Sequence, residues 1–418
     1  MSTVDITPPT PAQSRLLASQ QPQSLGDYLR VWLQRIRAGD LGILPTLLGL
    51  LIITLIFQSM NSNFLTPINF VNLMVQMAGL TVIAYGAVFV LLIGEIDLSV
   101  GYVAAVSAAV MVILSVPAPA GLGLPWYVAI VAGLMTGILI GLLQGVIITF
   151  FQLPAFVVTL AGFLFWNGVL LIVLGNGGTI RLQDETLRSF TRSFLPEGVS
   201  LLITAALIGA YAFIQIRQRQ MRQENHLAVK PLAIMISQIV LLSVVSFTVV
   251  LYANENRGVP TIAVFVLLLF VVLSYIVDRS RYGRFLMAVG GNKEAARRAG
   301  IGVERVRTTV FMISGAMAAI GGMILATRLG SISTNFEAGA LLLNAIAAAV
   351  IGGTSLFGGR GFIYSALLGA LIISAVESGM GLLGLSSGVK FLVTGIVLLL
   401  AVILDSLSRR RQRQAGIG

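Results

Sequence analysis

INFVNLMVQMAGLTVIAYGAVFVLLI, residues 68–93, runs without one charged side chain. A helix rises about 1.5 Å per residue and the hydrocarbon core of a bilayer is about 30 Å thick, so this stretch can cross at a tilt. A membrane β-barrel would show segments of about ten residues with strict alternation. Unbroken apolarity over this length reads as helix, which satisfies its own backbone polar groups in lipid.

The same reading extends along the chain. Apolar runs fall at 41–60, 68–93, 100–117, 125–150, 154–175, 198–216, 232–252, 260–278, 307–329, 339–353, 361–380 and 387–405, which predicts an all-α polytopic membrane bundle of about twelve transmembrane helices. The tenth run is short and reads as a broken or re-entrant segment. Composition agrees: of 418 residues 57% are apolar and 10% charged, against roughly 25% charged in soluble domains. Mean hydropathy is +0.95. A soluble fold and disorder over most of the chain are excluded. With no cysteine, so are a disulfide scaffold and a cysteine-held zinc site. Residues 1–24 are polar and rich in Pro, Ser and Gln, so no secretory signal is expected and the first run is read as a retained span.

The net charge of +11 is explained by where the cations sit. If the N-terminus is cytoplasmic and the spans alternate, 21 of the 27 Lys and Arg residues fall inside, and only Arg181, Arg188, Arg192, Arg257, Arg328 and Lys390 fall outside. That asymmetry is the positive-inside pattern. It places both termini in the cytoplasm and assigns the basic loops to anionic lipid rather than to nucleic acid. The expected organisation is a cytoplasmic arm over 1–40, a transmembrane domain over 41–405 with a cytoplasmic loop at 279–306, and a basic cytoplasmic tail over 406–418. In the arm, Leu25, Tyr28, Leu29, Trp32, Leu33 and Ile36 share one helical face, which reads as an interfacial amphipathic helix or as the start of the first span. His226, the one histidine, sits in a basic loop and reads as solvated.

Within the spans, Gly133, Gly137, Gly141 and Gly145 form a stripe that lets a second helix approach closely, inside this chain or in a partner subunit. Two polar islands interrupt the apolar runs. The first, GEIDLSVG at 94–101, carries Glu95 and Asp97. Carboxylates at i and i+2 do not share a helix face, so a paired acid–base site is not expected. Asp97 and Ser99 read as a helix cap, and the island as either a surface loop or a site at membrane depth. The second, IGGTSLFGGRG at 351–361, repeats the plan of a Gly-rich break between apolar helices, a weak internal repeat of the kind transporters carry. Glu377 and Lys390 read as residues snorkelling at the ends of the last two spans. No Gly-Lys dipeptide occurs, so no phosphate-binding P-loop is present, and an ATP-driven process would need another subunit.

The loop at 279–306 is the most structured of the hydrophilic segments. Gly290–Gly300 predicts one short helix: Asn292 as N-cap, Glu294 in the first turn, Arg297 and Arg298 in the last, and Gly300 as the stop. Ala295, Ala296 and Ala299 keep a face small. An ordinary basic loop is the plainer reading; the dense capping favours a rigid docking element.

At this loop the sequence resembles the permease subunits of ATP-binding-cassette sugar importers, in the branch handling ribose, xylose and related monosaccharides. GEIDLSVG at 94–101, LPAFVVTLAG at 153–162, AVGGNKEAARRAGIGVERV at 288–306 and AIAAAVIGGTSLFGGRG at 345–361 carry the resemblance in family order. The additional spans at 198–216 and 232–252 and the loop Asn256-Arg257-Gly258-Val259-Pro260 resemble the xylose-type members. Asn344 departs from the family, which often has an acidic residue there.

The resemblance implies an importer permease fold in the bacterial cytoplasmic (inner) membrane. It implies a permease homodimer, a cytoplasmic ATPase subunit and a periplasmic or lipoprotein sugar-binding protein. It implies no cofactor on this chain and no catalysis by it alone, ATP and Mg being bound by the ATPase. Gly290, Gly291, Asn292, Glu294, Ala295, Ala296, Arg297 and Gly300 would contact the ATPase. Glu95, Asp97, Ser99, Asn344, Gly352, Gly353, Thr354 and Ser355 are the translocation or gating candidates. A neutral pentose, D-xylose above all, needs no charged counter-group, so few charges are expected along its passage. The rival reading is an ion-coupled secondary sugar transporter, with Glu95, Asp97 or Glu377 as the ion site. An intramembrane enzyme is not supported: the chain offers no metal pattern and no nucleophile–base pair.

Overall fold

The computed structural model describes residues 43–403 except 176, 177, 226, 228, 230, 335, 387, 391, 397, 398 and 400–402. The amphipathic arm over 1–40, His226 and the tail over 406–418 therefore lie outside the described residues.

In chain order the elements are α1 (Leu44–Met60), α2 (Pro67–Leu92), α3 (Val100–Ser115), α4 (Trp126–Phe150), α5 (Ala155–Leu174), β1 (Thr179–Arg181), α6 (Glu185–Ser189), α7 (Glu197–Glu224) and α8 (Leu232–Asn254). They continue with α9 (Thr261–Arg279), α10 (Arg281–Gly291), α11 (Lys293–Arg298), α12 (Val303–Leu329), β2 (Ser331–Ser333), α13 (Ala338–Ile351) and α14 (Ile363–Leu382). Among the described residues eight helices are long and apolar enough to cross a membrane, and α1, α3 and α13 are shorter apolar helices. These coincide with eleven of the expected runs; the twelfth, 387–405, is only partly described, with helical residues at 388–390 and 392–396. The chain is a multi-pass membrane helix bundle.

It divides into two compact units. The smaller, Pro196–Glu255, is the pair α7 and α8. Its helices are tied by Ser200 and Asn254, whose side chains hydrogen-bond at 3.2 Å. Most of their apolar side chains, Leu202, Phe213, Leu241 and Val244 among them, are exposed, as hydrocarbon-facing residues are. α7 runs past the expected boundary at 216, because the Gln- and Arg-rich turn over 217–224 is a good helix former once outside lipid.

The larger unit, Gly42–Leu195 with Asn256–Leu407, holds the core. Thr66 caps α2 by accepting from the Asn69 N–H, and Pro67 sits at the first position, where a missing N–H costs nothing. From Ala78 to Leu92 every residue of α2 is buried. A helix apolar all round is the centre of a bundle, and α12, α13 and α14 pack onto it.

α12 also packs along α4, and there the glycine stripe is consumed inside the chain. A Cβ at Gly137 would run into the Gly315 carbonyl oxygen, and one at Gly141 into that of Phe311. Backbones in direct contact gain dispersion energy that lipid cannot match.

α13 is 14 residues long. At about 1.5 Å per residue it is too short to cross the bilayer, as expected of the tenth run. One element has no counterpart in the hydropathy pattern: β1 and β2 form an antiparallel ribbon with Ile180 opposite Ile332, at the α12 end that bears Arg328.

Candidate functional site

Asn292 ends one helix and starts the next. Its extended backbone breaks α10, and its side chain accepts from the Ala295 N–H at 2.9 Å to cap α11. Gly300, at φ +81°, closes the turn after α11. The helix expected between the Asn292 cap and the Gly300 stop is α11, whereas Gly290 and Gly291, which open that stretch of sequence, belong to α10. The break arises because the Asn cap and the two preceding glycines both disfavour continuous helix there.

On the surface of α11, Arg297 donates to Glu294 at 3.0 Å and to Glu304 at 2.8 Å. The Arg297 guanidinium holds the Glu304 carboxyl below its ordinary range, and Glu304 in turn raises that of Arg297. Glu294, Ala295, Arg297 and Ala299 are exposed, whereas Ala296 is buried against the body of the unit. α11 is thus a short, capped, braced helix presenting one charged face.

Beneath it lies a junction of three glycine-bearing segments. Gly290 is not on an open docking face: a Cβ there would run into the Leu92 carbonyl oxygen and stand 2.6 Å from the Gly359 N. Gly358 has φ +83°, and a Cβ on it would be 2.7 Å from Gly94 N and 2.8 Å from Gly290 O. The Gly359 N–H donates to the Leu92 carbonyl at 2.9 Å. Gly352 ends α13 packed on the Ser365 backbone, while Gly353 is exposed. Thr354 and Ser355 are buried, and the Ser355 hydroxyl knots its loop by accepting from the Phe357 N–H at 3.1 Å. Both polar islands and the α10–α11 corner therefore meet, backbone against backbone, where side chains would not fit.

Glu95 ties the junction together. Its side chain is 5% exposed, and one oxygen, Oε1, accepts from Lys293 Nζ at 2.7 Å and from Arg307 Nε at 2.6 Å. Lys293 is the first residue of α11 and Arg307 lies in the second turn of α12. Glu95 Oε2 is buried without a partner among the described residues.

Asp97 works inward. Oδ1 accepts from the Ser99 N–H at 2.9 Å and the Ser99 hydroxyl at 2.6 Å, and Oδ2 from Ser314 of α12 at 2.9 Å. Gln144 of α4 donates to the Ser99 hydroxyl at 2.9 Å. The break between α2 and α3 is thus a turn stitched to α4, α11 and α12. Lys293, Arg307, Gln144 and Ser314 were not singled out by sequence. The one available signal was that a carboxylate at membrane depth requires a cation.

Asn344 does not join this junction. It donates to Glu377 Oε1 at 2.9 Å, and Gln76 approaches Oε2 at 3.5 Å. Glu377 lines a cavity of about 660 Å³ together with Asn69, Asn72 and Gln76 of α2 and Arg328 and Lys390. Glu377 and Lys390 therefore do not simply snorkel at a lipid boundary. The cavity is at the end of α12 opposite Arg307, since 21 residues of helix separate Arg307 from Arg328, roughly 30 Å. Its lining also includes Arg192 and Arg257.

Residues 69–402 match the family described as branched-chain amino acid transport system / permease component. The xylose transport system permease protein XylH of Escherichia coli strain K12 is 37% identical over 83% of this chain and 87% of its own length. XylH of Haemophilus influenzae is 32% identical over 90% and 99%, respectively. The ribose import permease protein RbsC of Bacillus subtilis strain 168 is 33% identical over 86% and 91%. No solved structure matches. The chain belongs to the branched-chain amino acid transport system / permease component family, in its ribose and xylose branch.

Proposed function

We propose that this chain is the transmembrane permease subunit of an ATP-driven importer that carries a monosaccharide, D-xylose or another pentose, into the cytoplasm. Its partners in this reading are a cytoplasmic ATPase that docks on α11, a sugar-binding protein that delivers to the opposite end, and a second copy of the permease. ATP and Mg are bound by the ATPase, and both termini of this chain lie in the cytoplasm.

The observation that carries the reading is the Glu95 tie. A force applied to the exposed face of α11 displaces Lys293, and through Glu95 it reaches the break between α2 and α3. The same force reaches the 352–361 loop through the backbone packing of Gly290 on Gly358 and Gly359. An ATPase that favours one position of α11 thereby shifts the population of pore states.

The test is reconstitution in vesicles with the ATPase and the sugar-binding protein. Labelled xylose uptake should require ATP and survive collapse of the ion gradients. Uptake driven by an ion gradient without the ATPase would overturn the reading in favour of a secondary transporter. Replacing Glu294 and Arg297 by Ala should lower co-purification of the ATPase while the helix content by circular dichroism stays constant.

A further inference from the structure

Of the six cations that the charge count assigns to the side away from α11, four gather in one place. Arg192, Arg257, Arg328 and Lys390 all line the 660 Å³ cavity. Among the described residues none of the four has a carboxylate within ion-pair distance. The cavity holds one carboxylate, Glu377, and that group is already engaged by the Asn344 and Gln76 amides. Four positive charges against one negative leave a concave wall with unmet demand for an anion, and low-dielectric walls concentrate that field.

We propose that this cavity binds a small polyhydroxylated carboxylate, a sugar acid. The guanidinium and ammonium groups take the carboxylate, and the Asn72 amide, which lines the same wall, takes a hydroxyl. Arginine suits the first task because its planar donors match a carboxylate pairwise. Arg257 is held for it over the ring of Phe194, with 5.7 Å between guanidinium carbon and ring centre. The proposal rests on the importer reading only in that a sugar-sized solute reaches this end of the bundle.

The experiment uses the full-length permease, purified with its ATPase into lipid nanodiscs, and titrates D-xylonate and D-xylose separately by calorimetry. Xylonate should bind at least about tenfold more tightly than xylose, since only the acid meets the unpaired charge. Its affinity should fall as salt is raised. Arg328→Gln and Arg257→Gln should each weaken xylonate by about fivefold or more, with melting temperatures close to wild type showing that the variants are folded.

Equal binding of acid and neutral sugar, no binding of xylonate to the folded complex, or unchanged xylonate affinity in both variants overturns the proposal. If xylonate does not bind but both variants lose the sugar-binding protein, the four cations form a protein contact and the proposal falls. Co-purification of the ATPase reports on the other end. Its presence without xylonate binding sinks the cavity assignment alone, whereas its absence from the wild type sinks the importer reading.

Discussion

At the scale of single residues, Glu95 carries two unequal ties. Arg307 is 14% exposed in its side chain and Lys293 42%. Removing one member of a buried pair leaves an uncompensated charge and costs about 3–5 kcal/mol, whereas a half-exposed lysine pair contributes about 1 kcal/mol or less. Stability and coupling should therefore separate. Glu95→Gln should lower the melting temperature and abolish uptake together. Lys293→Met should leave the melting temperature within about 2 °C of wild type yet reduce sugar moved per ATP hydrolysed by about tenfold, within the range of ordinary coupling energies. Parallel measurement of ATP turnover and labelled sugar uptake in vesicles checks this. An unchanged uptake-to-ATP ratio in Lys293→Met would show that Glu95 is only a structural counter-ion. Hydropathy could mark Glu95 as out of place, but its cations lie 198 and 212 residues downstream, a separation no local pattern spans.

At the scale of elements, α11 owes its form to local chemistry and was legible for that reason: Asn292, Glu294 and Gly300 act within a turn or two of one another. Its brace to α12 adds a pH dependence. Arg297 depresses the folded pKa of Glu304, so this tie is fully present above the ordinary carboxylate value of about 4.3. It is lost as pH falls through the lower folded value. A spin label on Ala299→Cys should show constant mobility from pH 8 to pH 5 and gain mobility only below about pH 4. A change between pH 7 and pH 5 would remove Glu304 from the account.

The glycine stripe of α4 was legible from its four-residue spacing, but its partner was not, because a smooth face fits any smooth face. The structure identifies that partner as α12, and the substitution can now be aimed. Gly137→Leu places four carbons where the Gly315 carbonyl stands, and overpacking of this kind costs about 1–3 kcal/mol or more. Gly168, in α5, has nothing within 4 Å of its would-be Cβ. Gly168→Leu should melt with the wild type in detergent while Gly137→Leu melts well below it. Equal melting would mean that α4 and α12 separate at no cost.

At the scale of the whole molecule, composition and hydropathy sufficed for the membrane class and the helix order, because lipid imposes length and apolarity on every span. They could not reveal which polar groups meet. The 660 Å³ cavity assembles residues from the Asn69 turn of α2 to Lys390, of which Glu377 and Lys390 read singly as boundary residues. What the charge pattern does add is a direction. α11 and the cavity stand at opposite ends of α12, so one labelling experiment orients both. The chain has no cysteine, so single cysteines can be introduced without background. Ala299, after α11, and Thr186, in α6 beside the β1–β2 ribbon, are both exposed. If the spans alternate as the positive-inside pattern predicts, 21 of the 27 Lys and Arg residues fall on the α11 side, and Thr186→Cys should react with a membrane-impermeant maleimide in spheroplasts, Ala299→Cys only after permeabilisation. The reverse pattern would put α11 outside, beyond the reach of any cytoplasmic ATPase. It would also turn the cation-lined cavity toward the cell interior, so both assignments are exposed to the same measurement.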